Sequence, residues 1–284
     1  MPLALIFSSY VAAGRVGGMA QALALATLKI DPVLIPTVLL GRTPGPGRDP
    51  GGAAVDPQVM QAMTDAAAAD GILGLADAVI TGHFSHPAQV ATAARAIDAV
   101  RIAQRDGAFS PNPAVVVDPI LGDAPRGLYV KAEVAEAVKA ELLMRADVLT
   151  PNLWELGFLT GVEAMNPAGV LAAARQLPAP ALVTSVPAAA GEVAMLWAGA
   201  DEALLLTHPM LPGVPHGTGD VLAAVLAAGL IEGRSPAEAA VRAAKAAATI
   251  ARLSAEWQAP ELPLVALGSR LVEDAPEVRV ERLG

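Results

Sequence analysis

Residues 216–233 read HGTGDVLAAVLAAGLIEG, a glycine turn that opens directly into a long apolar helix. Two glycines, Gly217 and Gly219, flank Thr218, so the backbone amides of the turn can converge on one point. The helix behind the turn adds the positive end of its dipole, and the two features together predict an anion hole. Taken alone, an ordinary capped helix after a glycine turn explains the stretch equally well.

Asp220 gives this turn a possible chemistry. A carboxylate one residue beyond the amides could accept a proton from a hydroxyl group while the amides hold a phosphoryl group under attack. That arrangement is what in-line phosphoryl transfer requires.

The rest of the chain alternates short β-rich runs with long alanine-rich helical runs, which predicts a mostly parallel sheet covered by helices. We predict one α/β domain over residues 1–284. The predicted strands are 3–8, 32–38, 78–81, 114–117, 147–150, 181–185, 192–197 and 203–207. The predicted helices are 17–28, 56–71, 87–105, 132–143, 218–232 and 236–256, with Asp56 as an N-cap. The tail after Pro260 carries little signal.

A glycine- and proline-rich segment, GRTPGPGRDPGG at residues 41–52, can form neither a helix nor a central strand. We predict a mobile loop there, able to close over a site formed at the strand ends.

Bulk composition excludes several classes of protein. The formal charge is −9 and the pI about 4.9, which argues against a nucleic-acid partner. Mean hydropathy is +0.49, but no apolar run reaches the ~18 residues of a membrane span. Cysteine is absent, so disulfides, thiolate zinc sites and a cysteine nucleophile are excluded. The N-terminus lacks a basic region before its apolar run, and we expect a cytoplasmic protein.

Polar residues follow most of the predicted strands, where a parallel sheet places its ligands. They are Ser8, Ser9, Thr37, His83, Asp118, Asn152 and Ser185.

Two segments of the chain resemble a known superfamily. The GTGD turn before an apolar helix is similar to the signature of ribokinase-like kinases, and ADVLTPNLWE at 146–155 resembles their N-x-x-E segment. The resemblance implies a three-layer α/β/α fold, Asp220 as catalytic base, and Gly217, Thr218 and Gly219 as anion hole. It also implies that Thr218 contacts ATP, and that Asn152 and Glu155 organise Mg²⁺ and the ATP phosphates. Without it, Glu155 would be an ordinary solvated helix residue.

Three further segments resemble the pyridoxal kinase branch: VDPILGD at 117–123 with GLYV at 127–130, and SYVAAGRVGG at 9–18. Asp118, at the end of a predicted strand, is well placed to contact a cation or a phosphate-bound water, and the alternative is a helix or turn cap. This resemblance implies that Thr184 and Ser185 bind ATP phosphate, and that Ser9 contacts the polar edge of a pyridine ring. Thr37 and His83 occupy the remaining substrate-contact positions.

The sequence departs from the family pattern at positions that the resemblance assigns to the pocket for the phosphoryl acceptor. His83 stands where tyrosine is usual, Gly18 where asparagine is usual, and GRTPGPG replaces a more polar flap. We expect His83 to stack on the ring and to titrate near neutral pH, which would make binding pH-dependent. A metal pair of His83 and His86 is disfavoured by its spacing and by the lack of carboxylate partners.

The resemblance to pyridoxal kinases implies an ATP-dependent kinase that phosphorylates the 5′-hydroxymethyl group of pyridoxal, pyridoxine or pyridoxamine in vitamin B6 salvage. We expect Mg²⁺ as the cofactor, with a monovalent cation as a further candidate, and a homodimer. A hydroxymethylpyrimidine kinase of the same fold is the first alternative, although those enzymes often carry a cysteine in the turn. A sugar or nucleoside kinase is less favoured. A binding protein for a B6 vitamer or nucleotide without turnover is the alternative from another class.

Overall fold

The computed structural model describes residues 1–45, 47, 49–273, 275 and 277–283. Pro46 and Arg48, which belong to the loop predicted at 41–52, lie outside the described residues. The strands are β1 (Leu3–Val11), β2 (Asp31–Leu40), β3 (Gly52–Ala54), β4 (Ala78–Thr81), β5 (Ala114–Val117), β6 (Gly122–Asp123), β7 (Gly127–Leu128), β8 (Val148–Leu149), β9 (Ala181–Val186), β10 (Glu192–Ala198), β11 (Ala203–Pro209) and β12 (Arg279–Leu283). The helices are α1 (Gly17–Thr27), α2 (Pro57–Ala69), α3 (Ile72–Leu75), α4 (Pro87–Ile102), α5 (Ala132–Glu141), α6 (Leu153–Thr160), α7 (Pro167–Ala174), α8 (Thr218–Ile231), α9 (Pro236–Glu256) and α10 (Leu264–Leu267).

The described strands form a ten-stranded sheet in the order β12-β11-β10-β9-β8-β5-β4-β1-β2-β3. The strands from β9 through β2 pair in parallel, and the three strands beyond β9 and the edge strand β3 pair antiparallel. A separate hairpin joins β6 to β7. The carboxyl ends of the parallel strands therefore share one edge of the sheet.

Two hydrophobic clusters cover the two faces of this sheet. One contains Ile6 and Ile80 of the sheet and the buried faces of α1, α8 and α9. The other contains Leu5 and Val79, which point the opposite way, together with α4, α5, α6 and α7. Alternate residues of each central strand thus enter different cores, which explains why these strands are continuously apolar. The predicted three-layer α/β fold is confirmed.

Capping residues fix where several helices begin. The Asp56 side chain accepts a hydrogen bond from the Gln58 amide at 2.8 Å, as predicted for an N-cap before Pro57. Asn152 starts α6 and Ser235 starts α9, each in a capping box with a glutamate three residues later. No described helix is long and apolar enough to span a bilayer.

Several short elements were not predicted: β3, the β6–β7 hairpin, α3, α7 and the tail elements α10 and β12. The strands among them are two to five residues long; β3 and β12 are mostly exposed, and β6 and β7 are partly buried. They form because neighbouring strands offer free backbone groups. The sequence of such a short strand does not show whether a neighbour is available. β12 returns the tail to the sheet beside β11.

Candidate active site

The glycine turn and Asp220 lie beside the β1–α1 loop. Gly217 has φ of +108°, and a Cβ atom there would stand 2.3 Å from the Arg15 carbonyl oxygen. The Gly17 amide donates to Asp220 Oδ2 at 2.8 Å, whereas the buried Asp220 Oδ1 has no protein partner. Burial raises the pKa of Asp220 to about 6, against the opposing effect of the Gly17 hydrogen bond. One carboxylate oxygen is thus held, and the other is available.

Further carboxyl groups gather around Asp220. Asp118, which directly follows β5, is 7% exposed, and its pKa is raised well above the ordinary value by burial, then by the charges of Glu155 and Asp220. Asp123 Oδ1 is buried without a protein partner. Such a concentration of buried negative charge is stable only with a cation or protons nearby.

Glu155 is not a solvated helix residue: it is 2% exposed. One carboxylate oxygen accepts from the Leu121 amide at 2.8 Å and the other from the Asn152 amide at 2.9 Å. Burial raises the pKa of Glu155 to about 7, and the backbone hydrogen bonds oppose that effect. Asn152 caps α6 through its side-chain oxygen and donates to the Gly122 carbonyl at 2.8 Å. These two residues hold the Asp118–Asp123 segment against α6.

A cavity of about 960 Å³, the central cavity, opens at the glycine turn before α8. Its walls include Asn152, Ser185, His216, Thr218 and Gly219. Ser185 has φ of +59°, a strained backbone conformation for a non-glycine residue at a strand end. A smaller cavity of about 220 Å³, the β10-side cavity, adjoins it and shares Ser185, Thr218 and Gly219. Thr184 lines the smaller cavity, so Asn152, Thr184, Ser185 and Thr218 of the predicted ATP residues border these two adjoining spaces. Asp118, also predicted to contact ATP, is not among the residues that line either space.

A third cavity of about 440 Å³, the β1-side cavity, is lined by Asp220. It shares Asp123, Tyr129 and His216 with the central cavity. Ser9, His83 and Asp220 line it, as predicted, among mostly apolar walls. Those apolar walls are Val11, Val16, Val38, Leu40, Pro44 and Ile120. The three cavities therefore adjoin one another. Thr218 and Gly219 line the first two, and Asp220 lines the third.

The structure does not bring Thr37 to this cavity. Thr37 is fully buried, and its hydroxyl donates to the His83 carbonyl at 2.6 Å. The β1–β2 register shifts here, because Ser8 pairs with Pro36 while Tyr10 pairs with Leu39. Two β2 residues thus face one β1 residue, and this bulge places Val38 in the cavity wall. Thr37 therefore holds the backbone carbonyl of His83 through this hydrogen bond and does not line the cavity.

The expectation that His83 titrates near neutral pH is wrong. Burial lowers the pKa of His83 to about 4, and its Nε2 lies 3.2 Å from the Ser85 hydroxyl. The ring is therefore neutral at pH 7. His86 is exposed and caps α4 by accepting from the Ala88 amide.

The carboxylate oxygens of Asp118 and Asp123 are of the type that binds a hard cation together with phosphates, whereas both oxygens of Glu155 already accept backbone amides. Among the residues that the structure describes, no group of three His, Cys, Asp or Glu side chains is arranged to hold a metal ion. Mg²⁺ is usually held by one or two carboxylates, several waters and the phosphates of its substrate rather than by an all-protein cage. The buried, unpartnered oxygens of Asp123 and Asp220 fit such a shared site.

Comparison with known proteins agrees with this geometry. The model of the phosphomethylpyrimidine kinase family matches residues 53–259. A pyridoxine/pyridoxal/pyridoxamine kinase of Bordetella avium is 36% identical over 80% of this chain and 77% of its own. A pyridoxal kinase PdxY of Rubrobacter xylanophilus is 32% identical over 97% of this chain and 94% of its own. The chain belongs to the pyridoxal kinase family. A structure of pyridoxal kinase from Leishmania donovani, in complex with ADP and pyridoxamine, superposes with a TM-score of 0.90 at 26% identity, with both chains covered in full.

Four residues of this pyridoxal kinase family member line the cavities without having been predicted: Asp123, Arg126, Tyr129 and His216. All four lie in or directly beside the segments that carry the family resemblance, so the signal was present but unassigned. Burial, then the charges of Glu155 and Asp118, raise the pKa of Tyr129, which keeps its phenol protonated. Arg126 supplies a positive charge in an otherwise acidic cavity.

Proposed function

We propose that this protein transfers the γ-phosphoryl group of ATP to the 5′-hydroxymethyl group of pyridoxal, pyridoxine or pyridoxamine. The observation that carries the proposal is the position of Asp220. It faces the β1-side cavity and lies two residues beyond Thr218, which lines the two connected cavities on the other side. An acceptor and a nucleotide can therefore approach the same anion hole from opposite sides.

Asp220 is suited to act as the general base. Its pKa of about 6 leaves it a carboxylate at pH 7 while keeping it more basic than an ordinary aspartate. The Gly17 amide fixes Oδ2, so Oδ1 is directed by the same hydrogen bond and can accept the hydroxyl proton. The amides at the start of α8 face the transferring oxygens, where fixed dipoles stabilise developing charge.

The β1-side cavity supports a flat heteroaromatic acceptor. Valine, leucine and isoleucine walls favour an apolar ring, and neutral His83 offers an aromatic face. Ser9 can bond the polar edge of the ring. An acceptor without a matching polar atom would leave such a group unpaired, at about 1–3 kcal/mol.

The remaining cavities support a nucleotide. The β10-side cavity is narrow, and Met195, Leu222, Ala247 and Ala251 give it apolar walls suited to a nucleobase. The central cavity holds the phosphates against Thr218, Gly219 and Ser185. Asn152 retains one N–H of its side-chain amide for a phosphate or a metal-bound water.

Mg²⁺ belongs to the same proposal, since it neutralises the charge on the transferring phosphates when bound with ATP. Asp118 would hold it, directly or through water. Glu155, whose oxygens already accept backbone amides, would contribute negative charge and keep Asp118 and Asp123 in place. A monovalent cation near Asp118 is a further candidate. The homodimer and the cytoplasmic location remain predictions from the sequence.

A hydroxymethylpyrimidine is the competing acceptor, because the family model that matches this chain is described as phosphomethylpyrimidine kinase. A coupled ADP-release assay separates the two when pyridoxal, pyridoxine, pyridoxamine, hydroxymethylpyrimidine and ribose are compared. We expect a B6 vitamer to give the highest kcat/KM. A tenfold preference for hydroxymethylpyrimidine would overturn the acceptor and keep the kinase. ADP release at the background rate with all five would overturn both.

A further inference from the structure

The C-terminal tail reaches back to the active site. After α9, the chain turns at Gln258, which has φ of +48°, and runs past the β1–α1 loop. Leu262 is buried, and its Cδ1 would lie 3.0 Å from a Cβ at Gly217 of the anion hole. Leu264 is fully buried two residues later. The segment between Pro260 and Leu264 is therefore anchored from within the core.

Glu261 in this anchored segment joins two other segments of the site. Its Oε2 accepts from the Arg15 amide at 3.0 Å, and its Oε1 accepts from the Thr43 hydroxyl at 3.2 Å. Arg15 lies in the β1–α1 loop, and Thr43 lines the β1-side cavity just after β2. The Glu261 carboxylate thus joins Arg15 and Thr43, which are 28 positions apart in the sequence. Glu261 itself is more than 200 positions from either of them.

The local packing shows that this approach is built into the fold. Gly14 is buried, and a Cβ there would lie 2.3 Å from Thr43 Oγ1, so only glycine lets Thr43 come this close. At the base of the Thr43 segment, the Ala12 and Ala13 amides donate to the carbonyls of Leu40 and Gly41. Thr43 is consequently held against the β1–α1 loop on one side and by Glu261 on the other.

The same loop holds the catalytic turn. Two residues after Arg15, the Gly17 amide donates to Asp220, and the Arg15 carbonyl packs against Gly217. A displacement of Arg15 would move both the hydrogen bond to the base and the wall behind the anion hole. Misplacement of a reacting group by about 1 Å can lower a rate about a hundredfold.

We propose that Glu261 is a positioning residue that sets the acceptor-cavity wall at Thr43 and the base Asp220 relative to one another. The kinetic consequences of this inference rest on the proposed kinase function. Its structural consequences rest on the hydrogen bonds alone. Glu261 contacts neither the acceptor nor the phosphates. It acts through Arg15 and Thr43.

Three variants separate this role from a general effect on folding. Glu261→Ala removes both hydrogen bonds. Glu261→Gln keeps both, because the amide oxygen accepts from Arg15 and the amide nitrogen donates to the Thr43 hydroxyl, which can also accept. Glu273→Ala is the matched control, since it removes a tail glutamate that pairs with Arg270 away from the site.

We expect Glu261→Ala to lower kcat/KM for the preferred acceptor by about tenfold to a hundredfold, with KM for ATP changed less than about threefold. Glu261→Gln and Glu273→Ala should stay within about threefold of the unmodified protein. A loss below about threefold in Glu261→Ala, or an equal loss in Glu261→Gln, would overturn the proposal.

Amide hydrogen exchange gives a readout that does not depend on the reaction. Glu261→Ala should accelerate exchange of the Arg15 and Gly17 amides, while Glu261→Gln should leave both protected. Unchanged Gly17 protection in Glu261→Ala would overturn the link to Asp220. If the unmodified protein phosphorylates no acceptor, the kinase proposal fails, and the exchange pattern still decides the positioning role. Should Glu261→Ala not fold, Thr43→Val serves instead: a raised acceptor KM with Arg15 protected supports the proposal, and an unchanged KM overturns it.

Discussion

The two glycines that flank Thr218 should respond differently to the same substitution. At Gly217, alanine meets a φ of +108° and a Cβ position 2.3 Å from the Arg15 carbonyl oxygen. At Gly219, φ is not in the left-handed region and nothing lies within 4 Å of the added Cβ. Gly217→Ala and Gly219→Ala therefore form a matched pair within one turn.

The magnitude for Gly217→Ala follows from two terms. A left-handed conformation costs a non-glycine residue about 1–2 kcal/mol. Overpacking against a backbone carbonyl adds about 1–3 kcal/mol, because that carbonyl can move only with its loop. We expect the free energy of unfolding to fall by about 2–5 kcal/mol and Tm by about 4–10 °C. Gly219→Ala should leave the free energy of unfolding unchanged or raise it by about 0.5–1 kcal/mol, since alanine favours a helix.

Activity should separate the pair in a second way. Gly219 lines the two cavities proposed to hold the nucleotide, so the added methyl in Gly219→Ala should raise KM for ATP in a fully folded protein. Differential scanning calorimetry and steady-state kinetics on both variants provide the measurements. Equal Tm values for Gly217→Ala and the unmodified protein would refute the packing argument.

Two further outcomes are expected from the acidic cluster. Asp220→Asn should raise the free energy of unfolding of the metal-free protein by about 1–3 kcal/mol above pH 6, because a pKa raised to about 6 means that the folded state holds an unfavourable charge there. The difference should vanish at about pH 3, below the ordinary pKa of an unfolded aspartate, because the carboxyl group is then protonated in both states. Urea titrations at pH 8 and pH 3 measure it, and an equal difference at the two pH values would contradict the reasoning. Activity should require a divalent cation, and full activity in excess EDTA would contradict this. Asp118→Ala and Glu155→Gln should weaken the apparent affinity for MgATP or lower turnover. Unchanged kinetics in both variants would contradict the role of the acidic cluster.

The central strands could be predicted from sequence because burial on both faces makes them continuously apolar. β4 and β5 have the predicted bounds, and α9 does as well, since Ser235, Pro236 and Glu238 mark its start. Edge elements such as β3 and β12 could not, because their pairing depends on a neighbour that is distant in sequence.

The site was predictable where a residue lies just after a strand, as Asp118 and Asn152 do, or in a glycine turn, as Asp220 does. The structure brings Asp118 close to Asp220. The site was not predictable where the strand register or the C-terminal tail decides which residue faces a cavity. Thr37 does not line the β1-side cavity, because the bulge in β2 shifts which side chain faces that cavity. Glu261 gave no signal at all, since its role depends on a tail that folds back across the sequence. The pKa of His83 depends on burial that no local motif reveals.

The central claim is that Asp220 takes the proton from a B6 vitamer as ATP phosphorylates it. Mass spectrometry can follow phosphorylated pyridoxal formed by the unmodified protein and by Asp220→Asn at pH 7.5, with ATP binding measured by calorimetry on both. We expect product from the unmodified protein, and formation slowed about 10²–10⁴-fold in Asp220→Asn with ATP affinity nearly unchanged. Retention of more than about a tenth of the turnover in Asp220→Asn would contradict the assignment of the base.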